Sequence, residues 1–275
     1  MTRSPGGGRR GEGPGAGTPR WDPEQYARFS APRSRPFGDL LARVGAQAPR
    51  LVLDVGCGSG ELTRSLALRW PGARVRGLDA SPEMVAAATA GADAGAGVEF
   101  SLGRAEDVDA SGVDVVVSNA VLQWVPGHLD LLRRWAAQLP PGGWLAFQVP
   151  SNFEAPSHRL MRELASSPPW RHRLAGVLRG AESVAAPGEY LDLLRGAGLE
   201  ADVWQTEYQH VLTGPDPVLE WVRGTALRPV LRALDAPAAA EFEREYGALL
   251  REAYPARPWG TPLPFLRTFA VSRRP

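Results

Sequence analysis

The stretch Leu51-Val52-Leu53-Asp54-Val55-Gly56-Cys57-Gly58-Ser59-Gly60 decides the fold of this chain. Its first half is short, branched and apolar, the composition of a parallel strand buried on both faces. Its second half puts glycine at alternate positions, which lets the backbone turn sharply and approach a ligand closely. Leu62, Leu66 and Trp70 then fall at i, i+4 and i+8, one face of a helix packed on a sheet, and Pro71-Gly72 ends that helix.

The same alternation continues outward. Segments 74–78 (ending at Asp79), 98–102, 113–118 and 144–149 read as strands, and Ser81-Pro82 reads as a helix start with serine as the cap. His128 opens another helix as a cap, with Leu129, Leu132 and Trp135 on its apolar face. The pattern argues for an open, parallel, doubly wound sheet of class α/β. After Pro150 the rhythm changes. Residues 1–20 read as a disordered tail, 21–150 as the ligand-binding core and 151–186 as a helical lid insertion. Residues 187–213 supply a core helix and a sixth strand at 201–211, 214–261 a second helical lid, and 262–275 the last core strand at 265–272.

Bulk composition excludes several classes. A net charge of +1, with no dense basic block in the folded part, gives no sign of a nucleic-acid partner. No apolar run reaches the ~18 residues of a membrane span. A single cysteine, Cys57, rules out an internal disulfide framework and fits a cytoplasmic location. Action as a monomer is expected.

The spacing of the glycines narrows the ligand. A nicotinamide loop reads G-x-G-x-x-G, whereas here the third glycine arrives one residue early and Glu61 takes the sixth place. Asp54 lies two residues before the first glycine. A carboxylate there repels a pyrophosphate and suits S-adenosyl-L-methionine, which carries a sulfonium and an ammonium. Asp79, at the end of the second strand, is placed to accept ribose hydroxyls. The competing reading is a bare strand-to-helix turn.

Four motifs in order, DVGCGSG at 54–60, LDAS at 78–81, SNAVLQW at 118–124 and LPPGG at 139–143, resemble the class I S-adenosylmethionine-dependent methyltransferases. The resemblance implies a Rossmann-like, seven-stranded methyltransferase sheet. It implies cofactor contacts from Asp54, Gly56, Gly58, Asp79, Ala80 and Asn119, with S-adenosyl-L-homocysteine as product. Where such enzymes carry an acid beside the adenine, this chain has Gly103-Arg104-Ala105. That contact falls to backbone groups of Arg104 and Ala105, or to Glu106. A narrower resemblance runs from Trp21 to about Arg273, through W-D-P-x-x-Y-x-x-F-S-A-x-R-S-R-P at 21–36, SNAVLQWVPGH at 118–128, H-R-L-M-R-E at 158–163 and L-R-P at 227–229. It is similar to the trans-aconitate 2-methyltransferase family. That implies esterification of one carboxylate of trans-aconitate to a monomethyl ester.

A carboxylate of pKa about 4 is ionised at neutral pH, so this chemistry calls for positioning and water exclusion rather than a general base. No residue is therefore assigned as catalytic, and no metal site is expected. A small-molecule polycarboxylate needs cations and hydrogen-bond donors. The candidates are Arg33, Arg35, Arg159, Arg162 and Arg228, with Tyr26, Tyr190, Tyr208, His158 and His210 as donors and Trp124 as a pocket wall. Surface ion pairs or core packing are the ordinary fates of all these residue types. Three other functions share parts of the pattern: a methyltransferase for another small-molecule acceptor, a nucleotide-binding oxidoreductase, and a non-catalytic adenosylmethionine-binding regulator.

Overall fold

The computed structural model describes residues 30–91, 97–178, 180 and 183–275. The expected tail at 1–20, Trp21 and Phe29 (expected to fold over the cofactor) and Tyr26 lie outside the described residues.

Helix α1 (Ser30–Leu41) precedes strand β1 (Leu51–Val55), and α2 (Glu61–Arg69) follows the glycine turn. Then come β2 (Arg74–Asp79), α3 (Pro82–Ala90), β3 (Val98–Leu102), β4 (Val115–Asn119), α4 (His128–Gln138) and β5 (Trp144–Pro150). The remainder is α5 (Pro156–Ala165), α6 (Pro187–Gly196), β6 (Glu200–Leu212), α7 (Pro217–Arg223), α8 (Arg228–Ala233), α9 (Ala236–Ala253) and β7 (Thr261–Arg273). Ser81 caps α3 as its sequence suggests, its hydroxyl accepting the Met84 amide at 3.2 Å. His128 is not a cap. Gly127, in the left-handed region at φ 70°, holds that position, and the buried His128 ring instead meets the Tyr190 hydroxyl at 2.9 Å.

The seven strands form one sheet in the order β3-β2-β1-β4-β5-β7-β6. Strands β1 to β5 pair in parallel, while β7 runs antiparallel to both β5 and β6. The sheet is therefore mixed rather than parallel throughout. The reason is topological: β6 delivers the chain to the carboxyl ends of the strands, helices α7 to α9 are inserted there, and the chain re-enters the sheet from that same end.

Two cores cover the sheet faces. Trp135, Phe147 and Tyr190 lead the one under α4 and α6; Phe37, Leu40, Leu66 and Phe269 lead the one under α1 and α2. A third core joins the two helical insertions to each other, with Met161 and Trp170 of the first packed among Trp221, Phe242 and Tyr246 of the second. Polar contacts staple the same junction: Tyr246 Oη donates to the Ser157 carbonyl at 2.6 Å, and the Ser157 amide donates to Tyr254 Oη at 3.0 Å. The insertions thus stand as one body over the carboxyl ends of β4 and β5 and the amino-terminal half of β7, at the end of the sheet where parallel α/β folds place their ligands.

Candidate active site

The glycine loop is latched to the end of β2. The Gly56 and Cys57 amides donate to the Leu78 carbonyl at 2.7 and 3.0 Å, and the Gly58 amide donates to Asp79 Oδ2 at 2.9 Å. Gly56 has φ 80°, and a Cβ there would lie 2.0 Å from Val121 Cγ2, so the turn admits no side chain. At Gly58, φ is 55° and a Cβ would meet nothing within 4 Å. That side of the loop is open space, a cleft beside the end of β2, where the Gly103 amide donates to the Asp79 carbonyl at 2.9 Å.

Asp79 Oδ1 accepts the Ser81 amide at 2.9 Å. Both its oxygens thus brace backbone, and each keeps a further lone pair for a ligand hydroxyl. Asp54 lies deeper than the sequence suggested. Its carboxylate is only 2% exposed beneath the loop, Oδ2 accepts the Thr63 hydroxyl at 2.6 Å, and Oδ1 has no partner among the described residues. Burial lifts its pKa to about 6, with the Thr63 bond opposing and the Asp79 charge adding to the rise. A cationic ligand above the loop would compensate that buried charge. Arg104 pairs with Glu106 at 2.7 Å; burial disfavours the Glu106 carboxylate, but that pairing holds its pKa below the usual range. Burial also pushes the Cys57 thiol far up, which leaves it unreactive. An open cradle at Gly58, hydroxyl acceptors at Asp79 and a buried anion under the loop together fit S-adenosyl-L-methionine.

Beyond the loop, β4 ends in a bend. Ala120 sits in the left-handed region at φ 58°, unusual for a residue with a side chain. Its amide donates to the Gln148 carbonyl at 2.9 Å and its carbonyl accepts Gln123 Nε2 at 2.6 Å, which hold the bend in place. Asn119 and Ala120 line a cavity of about 130 Å³ between the sheet and the insertions, open to solvent on one side. Trp124, Phe153, Met161, Trp221 and Phe265 supply apolar wall; Gln123, Asn152, Ser157, His158, Arg162 and Arg267 supply polar groups.

The structure brings some of the expected acceptor residues to this cavity and not others. Trp124, His158 and Arg162 line it, and so does Asn119, which the resemblance made a cofactor contact. Arg162 donates to the Phe153 carbonyl at 2.6 Å and pairs with Glu154 at 3.0 Å. Tyr190 is wholly buried in the sheet core, hydrogen-bonded to His128 and the Ala185 amide. His210 lies behind the wall, its ring tilted at 32° to the Trp221 ring with centroids 4.9 Å apart. Arg228 is not among the lining residues, although its neighbour Pro229 is. Arg35 is exposed, ion-paired to Asp39 at 3.9 Å and placed over the Tyr208 ring. The Arg33 side chain and Tyr26 lie outside the described residues.

Most of the wall, including Gln123, Asn152, Phe153, Ser157, Trp221 and Phe265, is not among the residues singled out from sequence, and nor are Arg267 and its partner Gln148. Arg267 is 5% exposed on β7, and Gln148 on β5 accepts its guanidinium at 3.0 Å. Each is a polar residue inside an apolar strand, a signal visible in Phe147-Gln148-Val149 and Arg267-Thr268-Phe269.

The methyltransferase domain family matches residues 53–147, the half of the sheet that carries the glycine loop. A trans-aconitate 2-methyltransferase of Streptomyces avermitilis is 54% identical over 94% of this chain and 98% of its own length. The chain belongs to the trans-aconitate 2-methyltransferase family. Another member, from Streptomyces coelicolor, is 55% identical over 94% of this chain and 88% of its own. Among solved structures, the YcgJ protein of Bacillus subtilis superposes with a TM-score of 0.55 at 19% identity, covering 88% of this chain and 98% of that one, which speaks for the fold alone. Likeness to the trans-aconitate 2-methyltransferases extends well past the shared domain, so it includes both helical insertions and the cavity they close.

Proposed function

We propose that this chain transfers a methyl group from S-adenosyl-L-methionine to a carboxylate of trans-aconitate, releasing the monomethyl ester and S-adenosyl-L-homocysteine. The observation that carries this reading is the near full-length likeness to enzymes named for that reaction.

The cavity supports it chemically. When bound, the cofactor supplies an electrophilic methyl on a sulfonium. The residues have to hold a carboxylate oxygen in line with that methyl and keep water out. Apolar walls from Phe153, Trp221 and Phe265 exclude water, and Arg162 and Arg267 offer cationic donors to a polyanion. The acceptor is already ionised, so no proton has to be removed, and His158 serves as a donor rather than a base. Gly58, Asp79, Ala80, Arg104 and Ala105 hold the cofactor, Asp54 and Gly56 shape its loop, and Asn119 stands between the two halves. Arg35, Arg228, Tyr190 and His210 are left out of the acceptor site on their positions. All these groups come from one chain, and action as a monomer in the cytoplasm is part of the same proposal. No described helix is long and apolar enough to cross a membrane.

The test is incubation with methyl-labelled S-adenosylmethionine and a panel of acids: trans-aconitate, cis-aconitate, citrate and a monocarboxylate. The expected result is ester formation on trans-aconitate above the others. Label appearing on another acceptor and not on trans-aconitate would refute the substrate.

A further inference from the structure

Three side chains on neighbouring strands form a hydrogen-bonded line across the carboxyl end of the sheet. Arg267 Nη1 of β7 donates to Gln148 Oε1 of β5 at 3.0 Å, and Gln148 Nε2 donates to Asn119 Oδ1 of β4 at 2.6 Å. Register places them there: Asn119 is the Cα partner of Gln148, and Arg267 is the partner of Pro150, two residues further on. Gln148 is 1% exposed, so water does not compete for its amide.

The direction of this line is fixed by chemistry. A guanidinium has donors only, so the Gln148 atom facing it must be the oxygen. The Gln148 nitrogen then faces Asn119 and requires an acceptor, which must be the Asn119 oxygen. The outer end, the Asn119 amide nitrogen, is left as a donor on a residue that lines the cavity. The positive charge of Arg267 also polarises the amides in the sense that strengthens that final donor.

We infer that the Arg267–Gln148–Asn119 line is an acceptor-selecting device: it presents an N–H of Asn119 to the oxygen of the reacting carboxylate, and favours ionised acceptors over hydroxyls or amines that must lose a proton. This rests on the carboxylate reading of the site. Asn119 is the group that touches the acceptor; Gln148 and Arg267 are positioning residues acting through it. The reacting carboxylate uses one oxygen for the new C–O bond while the other accepts from Asn119, and no proton is transferred.

The reversing variant is Gln148→Glu. Glutamate keeps the ion pair with Arg267 but offers Asn119 only an acceptor, so the Asn119 amide turns over and points its oxygen at the substrate. Trans-aconitate is titrated calorimetrically into the S-adenosylhomocysteine-loaded chain, with S-adenosylhomocysteine affinity and thermal midpoint measured on the same samples. Gln148→Glu is expected to weaken trans-aconitate at least about tenfold, the scale of one hydrogen bond to a charged group, with S-adenosylhomocysteine affinity unchanged. Arg267→Lys keeps a donor-only cation, and hence the direction of the line, and retains most of the affinity. Undiminished trans-aconitate affinity in Gln148→Glu overturns the inference, as does an equal loss of S-adenosylhomocysteine affinity. Should the unaltered chain not bind trans-aconitate, the substrate reading fails by itself. The same titration with citrate, succinate and propionate then reads the line, which requires at least one of them to bind and to weaken in Gln148→Glu; binding by none of them overturns it too.

Discussion

The hydroxyl of Thr63 donates to Asp54 Oδ2 at 2.6 Å beneath the glycine loop, and it is the hydrogen bond given to this buried carboxylate. One donor does not offset full burial, and the Asp54 pKa is pushed up to about 6. The unfolded chain would have Asp near 4. The folded state therefore holds the proton more tightly. The stability this contributes is fully present below about pH 4 and is lost as pH rises through about 6. A cation in the cleft favours the carboxylate, so binding runs the other way. S-adenosylhomocysteine, which carries an ammonium, is expected to bind more tightly as pH rises from 5 to 7. Asp54→Asn should flatten that profile. Calorimetric titration across pH checks it, and an identical profile in both proteins would remove Asp54 from cofactor binding.

The two inner glycines should respond differently to alanine. At Gly56 the added Cβ collides with Val121 in a left-handed backbone, so Gly56→Ala is expected to destabilise by several kcal/mol, combining an unfavourable φ of about 1–2 kcal/mol with overpacking of about 1–3. At Gly58 nothing stands within 4 Å, and only the φ cost of about 1–2 kcal/mol applies. The new methyl then projects into the cleft. Gly58→Ala should lose cofactor affinity with a small drop in thermal midpoint, Gly56→Ala a large drop. Thermal unfolding and cofactor titration on both variants separate the cases.

Tyr190 illustrates what a sequence cannot distinguish. Its hydroxyl makes it a candidate donor to the acceptor, yet its ring packs edge-on to Phe147 and its hydroxyl joins His128 to the Ala185 amide. Burial pushes its pKa to about 12, so it stays neutral. Tyr190→Phe leaves those two partners underbonded and is expected to cost about 1–3 kcal/mol of stability. The KM for trans-aconitate should not change. A raised KM with unchanged stability would return Tyr190 to the acceptor site.

The cofactor half of the molecule was legible because its signals are local. Gly56, Gly58 and Asp79 occupy a strand end and a turn, where spacing alone determines which backbone amides converge. The acceptor half depends on contacts between distant segments. Arg267 reaches the cavity because β7 is reversed, and that reversal follows from where α7 to α9 re-enter the sheet, which no local pattern encodes. Arg35 and Arg162 look alike in sequence, since each is an arginine within a segment that carries the family resemblance. Only packing shows that one lies over Tyr208 on the surface and the other lines the cavity. The depth of Asp54, 2% exposed, is not legible either, because alternation on a doubly covered strand does not say which residue lies beneath the turn.

Arg159 and Arg162 share one helix and provide an internal control for the acceptor cavity. Arg159 pairs with Glu163 at 2.8 Å, both half-exposed at i, i+4, an arrangement worth about 0.3–0.5 kcal/mol. Arg162 is the more buried of the two, holds the Phe153 carbonyl and lines the cavity. Arg162→Ala removes a cation from the polyanion site and releases the loop that carries Phe153. It is expected to raise the KM for trans-aconitate about tenfold or more, the scale of one charge-assisted hydrogen bond. The turnover number should change less, because the reacting oxygen is positioned elsewhere. Arg159→Ala should leave both constants near the starting values. Steady-state kinetics on the two variants at one ionic strength decides the assignment. If both raise KM equally, the effect is the general positive field of the helix, and the specific role of Arg162 in holding the acceptor is lost.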